Sequence, residues 1–69
     1  MYKVYRDYYG LFDEVSRVAE FETSAEAKAF AEYSAHKIAG SCTDFVVKNS
    51  RGKEVARYSA LDYEERSVL

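Results

Sequence analysis

Proline and tryptophan are absent, and cysteine, histidine and methionine occur once each. A single cysteine, Cys42, cannot close a disulfide within the chain. A lone thiol suits a reducing compartment, so a cytoplasmic location is expected. One cysteine and one histidine cannot assemble a zinc site of the usual ligand set, and no metal or cofactor is expected. The three glycines, Gly10, Gly40 and Gly52, stand far apart, which excludes a phosphate-cradling glycine loop. No apolar run nears the roughly 20 residues of a membrane helix. The start, Met1-Tyr2-Lys3-Val4-Tyr5-Arg6, has no apolar signal core, so neither membrane insertion nor secretion is expected.

Basic excess is also missing. Ten Lys+Arg against 12 Asp+Glu leave a formal net charge of −2, whereas proteins that live on phosphates usually carry a clear positive surplus. The acidic balance is too mild for a strong polyanion mimic. With 69 residues, 48% of them apolar and 32% charged, the chain fits one small folded domain and neither a disordered nor a fibrous class.

What is abundant is tyrosine. Seven of the 69 residues are Tyr, against about two at ordinary usage. A small core cannot hide seven hydroxyls, so several are expected at a surface or an interface. Tyrosine is a preferred interface anchor because it offers a large area at low entropic cost.

The most legible element is a helix. Thr23-Ser24-Ala25-Glu26 matches a capping box, with Thr23 as N-cap and Glu26 three positions on. The alanine-rich run Ala25 to Ala39 contains no Gly, Pro, Val or Thr. Ala27, Phe30, Ala31, Ser34 and Ile38 share a stripe, with Phe30 and Ile38 as its large anchors. Gly40 follows as the expected C-terminal cap. Before the helix, Tyr2 to Tyr9 and Val15 to Glu22 read as strands separated by Gly10-Leu11-Phe12-Asp13. In the second strand Val15, Ala19 and Phe21 fall on one face, Ser16, Glu20 and Glu22 on the other, and Val18 interrupts the alternation. After the helix, Thr43 to Lys48 and Lys53 to Ser59 read as strands joined by the turn Asn49-Ser50-Arg51-Gly52.

The order β-β-α-β-β predicts an α+β domain: a four-stranded antiparallel sheet with one helix packed on one face. It is expected to span residues 1–60, with 61–69 a charged C-terminal tail. A single helix leaves one sheet face open. With Val4, Phe21, Phe45 or Val47, and Val55 turned to the helix, the open face would present Lys3, Tyr5, Val18, Val46, Lys48 and Tyr58. A one-residue slip would invert this assignment.

No catalytic constellation is evident. His36 follows Glu32 by four residues on the helix, the spacing of an ordinary surface pair. Cys42 lies after a helix C-terminus, where the dipole disfavours a thiolate, so a half-buried structural thiol is expected. Asp13-Glu14, Glu20-Phe21-Glu22 and Glu64-Glu65 lack calcium-loop spacing. Paired carboxylates would also need a concave substrate site, which a domain this small rarely encloses. An enzyme is not expected.

Phe21-Glu22-Thr23-Ser24-Ala25-Glu26-Ala27, the alanine-rich helix, and Phe45-Val46-Val47 followed by Arg51-Gly52-Lys53 together resemble small β-β-α-β-β domains of unknown function found in bacteria and their phages. The layout is also similar to compact phage proteins that inhibit host enzymes, including RNA polymerase and CRISPR surveillance complexes. The resemblance covers residues 15–59 and rests on the capped helix and the hairpin turn. It implies a stoichiometric binder rather than a catalyst, and no functional residue is carried over from it.

The leading expectation is a protein-interaction module, in the form of a phage or mobile-element inhibitor (an anti-CRISPR, for example) of a host nucleic-acid machine. Its expected contact residues are Tyr5, Tyr8, Tyr9 and Tyr58, with Asp7 and Glu20 at the rim. One alternative is a homodimer that buries the open sheet face. Another is weak nucleic-acid binding through Lys3, Arg6, Lys48 and Arg57, with aromatics for base stacking. Asp7, Glu20, Glu22 and Asp44 would also sit close by and repel phosphate, so nucleic acid ranks below a protein partner.

Overall fold

The computed structural model describes residues 1–11 and 13–63. In chain order these form β1 (Tyr2–Tyr9), β2 (Asp13–Phe21), α1 (Ser24–Lys37), β3 (Thr43–Lys48), β4 (Glu54–Ser59) and a short 3-10 turn, Ala60–Asp62. The strands make one antiparallel sheet in the order β2-β1-β3-β4. This is the expected α+β arrangement, β-β-α-β-β. Phe12, in the first turn, and residues 64–69, in the expected tail, lie outside the described residues.

Helix α1 starts where the capping box places it. Thr23 keeps an extended backbone (φ −118, ψ 153) and its hydroxyl oxygen accepts from the Glu26 N–H. The Thr23 hydroxyl in turn donates to Glu26 Oε1 at 3.2 Å. The box thus closes through the hydroxyl instead of through the Thr23 N–H. The helix ends at Lys37, two residues earlier than the alanine run suggests, and Ile38 leaves helical geometry (φ −116, ψ 37). Gly40 takes φ +91 in the following loop and donates its N–H to the Ala60 carbonyl at 2.8 Å.

Ala27, Ala31 and Ala35, at successive four-residue steps, are fully buried against Val4, Phe45 and Val47. Three methyl groups let the helix axis approach the sheet closely. Phe30 flanks this seam with its ring 5.4 Å from that of Phe21. Ile38, expected as a second large anchor, is 38% exposed. Once the helix stops at Lys37 its side chain no longer follows the stripe, and Ala35 occupies the inner position.

Two irregularities decide the sheet faces. In β1–β2 the register shifts between Val4↔Ala19 and Tyr5↔Arg17, which leaves Val18 without a partner. This is a β-bulge, and it inverts the alternation beyond it. Val15, expected beside Ala19 and Phe21, therefore aligns with Asp7 on the opposite face and is 61% exposed. In β3–β4 a second shift lies between Val47↔Ala56 and Lys48↔Glu54. Tyr58 pairs with Phe45 and Ala56 with Val47, so both pack on the helix side of the sheet. Tyr58 was expected on the open face and Val55 in the core. Ala56 and Tyr58, two residues apart, take the helix face together, which turns Val55 away from the core, 39% exposed, while the bulge at Val55 moves only Glu54, onto the face of Arg57.

Asn49 organises the second hairpin. Its side-chain oxygen accepts from the N–H groups of Arg51 and Lys53, and Gly52 takes φ +80. After β4 the chain folds back over the helix end. Ala60 is buried, and the Tyr63 ring stacks on His36 at 4.0 Å between centroids. Burial pushes the Tyr63 hydroxyl pKa up, helped by Glu32, Tyr58 and Asp62.

Candidate functional site: the uncovered sheet face

No described element covers the sheet face opposite α1. Three cross-strand rows define it. Glu20, Lys3, Lys48 and Glu54 form the first, Arg17, Tyr5, Val46 and Arg57 the second, and Val15, Asp7, Asp44 and Ser59 the third. The face carries charges of both signs around one aromatic ring, Tyr5, and Val46, with Lys3 opposite Lys48 and Asp7 opposite Asp44. Val46 is only 3% exposed although no layer lies over it. It sits in register between Tyr5 and Arg57, and long neighbouring side chains shield it.

Arg57 is the hub. Its Nη1 donates to Asp44 Oδ2 at 2.6 Å, while Nε and Nη2 donate to the two oxygens of Glu54, each at 3.1 Å. Asp7 Oδ2 lies 4.0 Å from the same Nη1. The fork of the guanidinium suits this two-pronged grip on a carboxylate. These bonds, those to Glu54 and Asp44 above all, hold the guanidinium still more firmly protonated than usual against the opposing effect of burial. Asp44 keeps a second oxygen, Oδ1, buried without a hydrogen-bond partner among the described residues. Beside this cluster, Lys48 Nζ lies 5.1 Å from the centre of the Tyr5 ring, a cation–π contact.

The network predicts an acid response. The hydrogen bond from Arg57 holds the Glu54 carboxyl below its ordinary 4.5, with burial opposing and the charges of Arg57 and Lys48 assisting. A carboxyl whose folded-state pKa is depressed stabilises the fold fully above its unfolded value. That contribution fades as pH falls through the folded value. The thermal midpoint of the protein is expected to fall on acidification below about pH 4.5, and less steeply in Glu54→Gln. Equal acid slopes in the two proteins would remove Glu54 from this role.

Of the residues expected to contact a protein, Tyr5, Asp7 and Glu20 lie on the open face. Tyr9 follows in the same alternation at the far end of β1, half-exposed. Tyr8 and Tyr58 lie on the helix side. The Tyr8 ring folds over Gly10, where a Cβ would collide with its hydroxyl, and the hydroxyl oxygen accepts from the Leu11 N–H at 3.4 Å. Of the residues expected to contact phosphate, Lys3, Lys48 and Arg57 share the open face, while Arg6 aligns with Ser16 and Phe45 on the other side. Arg17 and Glu54 join the open face without having been singled out in the sequence. The Val18 interruption was the available signal for Arg17. The i, i+3 spacing of Glu54 and Arg57 does not suggest a pair on a regular strand and makes sense only with the bulge.

His36 is exposed at the end of α1, and Cys42 is a half-buried free thiol. Asp13 and Glu14 are strand neighbours whose side chains point to opposite faces. Among the described residues no three His, Cys, Asp or Glu side chains gather as a metal site, and no pocket forms. No described helix is long and apolar enough to cross a membrane. No protein-family model, curated protein or solved structure matches the chain.

Proposed function

We propose that this domain is a non-enzymatic protein-binding module whose contact surface is the uncovered sheet face. One observation carries the reading: a tyrosine and an arginine lie on that face already held in place, Tyr5 by Lys48 and Arg57 by Asp44 and Glu54. Tyrosine and arginine are among the residue types that dominate interface energies. Side chains fixed before binding lose less conformational freedom on association. Charges of both signs on one face suit a protein surface of matching pattern.

The same geometry weighs against phosphate binding. Arg57 is already occupied by carboxylates, and Glu20, Asp7, Asp44 and Glu54 stand beside the remaining basic groups. In its specific form the proposal is a phage or mobile-element inhibitor acting in a host cytoplasm. Its target would be a nucleic-acid machine of the CRISPR-complex or RNA-polymerase type. The small size and the resemblance of residues 15–59 support that form. Tyr5, Tyr9, Asp7, Glu20 and Arg57 are the proposed contacts.

The test is capture of partners by tagged protein from bacterial lysate, with and without nuclease. A discrete protein that survives nuclease and is lost with folded Tyr5→Ala is the expected result. Capture undiminished by both Tyr5→Ala and Arg57→Ala would refute the face assignment. Recovery only of nucleic acid would refute the proposal itself.

A further inference from the structure

Strand β2 forms one edge of the sheet, with β1 on its inner side and no described strand on its outer side. At nine residues it is the longest strand. Natural edges are commonly blunted by charged side chains, lysine above all, by proline or by a bulge, because a free edge is a template for another strand. β2 has neither lysine nor proline, its bulge at Val18 lies toward its C-terminal end, and its charges, Asp13, Glu14, Arg17 and Glu20, are of both signs, so they can pair with a second copy instead of only repelling it. Asp13 to Arg17 stay in unbroken register with Tyr9 to Tyr5. The other edge, β4, is six residues long with an irregular register, and its Glu54 and Arg57 already bind each other.

We propose that the chain dimerises by antiparallel pairing of β2 with β2 of a second copy, about a two-fold axis at Val15. The charge pattern selects the register. A two-fold perpendicular to the sheet keeps each face on its own side, so the residue at the axis meets itself. With Val15 there, Asp13 of each copy faces Arg17 of the other, and Glu14 faces Ser16. Val15 meets Val15. Both ion pairs fall on the open face, where Asp13 and Arg17 are exposed. Neighbouring registers are worse. An axis at Arg17 sets Arg17 on Arg17. An axis at Ser16 sets Arg17 on Val15 and takes Asp13 away from it. An axis at Glu14 sets Glu14 on itself and Asp13 on Val15. Like charges directly opposed across strands are destabilising, and opposite charges favourable. The dimer is a continuous eight-stranded sheet that carries two copies of the Tyr5 face side by side. It does not depend on what that face binds.

Sedimentation velocity over a range of concentrations tests the proposal. The wild type is expected to dimerise. Arg17→Asp and Asp13→Arg are each expected to weaken the dimer by roughly tenfold or more, because two attractive pairs become two repulsive ones. The double variant Asp13→Arg/Arg17→Asp is expected to restore it. A wild type that stays monomeric at the highest concentration overturns the proposal, as does a dimer indifferent to these changes. A second measurement does not rely on charge reversal. In a Cys42→Ser background, Val15→Cys is expected to crosslink to its own copy on mild oxidation, since facing residues across strands lie within disulfide reach. Glu20→Cys is not. Crosslinking of both to the same extent, or of neither, also overturns it.

Discussion

Replacing Ala31 by Leu is expected to lower the unfolding free energy by about 2–3 kcal/mol. Ala31 is fully buried at the middle of α1, between Ala27 and Ala35 on one line and above Val4, Phe45 and Val47. Small side chains along that line set the distance between helix and sheet, so three extra carbons must push the layers apart or bend out of a favourable rotamer. A domain of this length has a total stability of about 3–10 kcal/mol, so the loss is a large share of it. Ala29→Leu supplies the control. Ala29 is on the same helix but exposed, and Leu is nearly as good a helix former as Ala, so a shift within about 0.5 kcal/mol is expected there. Urea denaturation of the two variants reads the difference. Matching midpoints would mean that the helix has room beneath it and that the alanine seam does not set the packing.

The second large effect is expected at Arg57. Arg57→Ala removes both bonds to Glu54 and the 2.6 Å bond to Asp44, whose side chain is only 14% exposed. Surface ion pairs are usually worth little, and the Glu54 pair belongs with them. Asp44 differs, because one of its oxygens already lacks a partner among the described residues and the other would lose its strongest donor. Stranding a mostly buried carboxylate is the costly side of a broken ion pair. The arginine stem also shields Val46. Together these place the loss at about 2 kcal/mol, with partial recovery in Arg57→Ala/Asp44→Asn, where the stranded charge is gone. Double-mutant denaturation curves measure the coupling. Strict additivity of the two changes would show that Asp44 does not rely on Arg57.

How much of this was legible in the sequence depends on how local each signal is. The capping box was visible because Thr23 and Glu26 lie three residues apart, and their hydrogen bonds need nothing from the rest of the fold. The Asn49–Gly52 turn was visible for the same reason: one side chain and one positive φ make it. β1 and β3 match their expected bounds residue for residue, since runs rich in tyrosine, valine and phenylalanine bounded by turn residues leave little choice. The end of α1 was less legible. Alanine continues through Ala39, yet the helix ends at Lys37 and the chain beyond it turns to bring the Gly40 N–H to the Ala60 carbonyl, a contact with a distant segment.

The face of each side chain was the part that local signals could not supply. Alternation separates a strand into two sets but does not say which set meets the helix, and a single bulge exchanges them. One bulge sent Val15 outward and brought Arg17 beside Tyr5. The pairing phase of β4 turned Tyr58 inward and Val55 outward, and its bulge brought Glu54 beside Arg57. The Arg57 cluster is likewise a product of register, since Asp7 lies 50 residues and Asp44 13 residues from Arg57 along the chain. The sequence by itself determined the order of elements, the start of the helix, the second hairpin turn and an open sheet face. The tertiary structure alone decided which residues that face carries. Strand pairing is a contact between distant segments, and the position of one unpaired residue within it sets the direction of every side chain beyond.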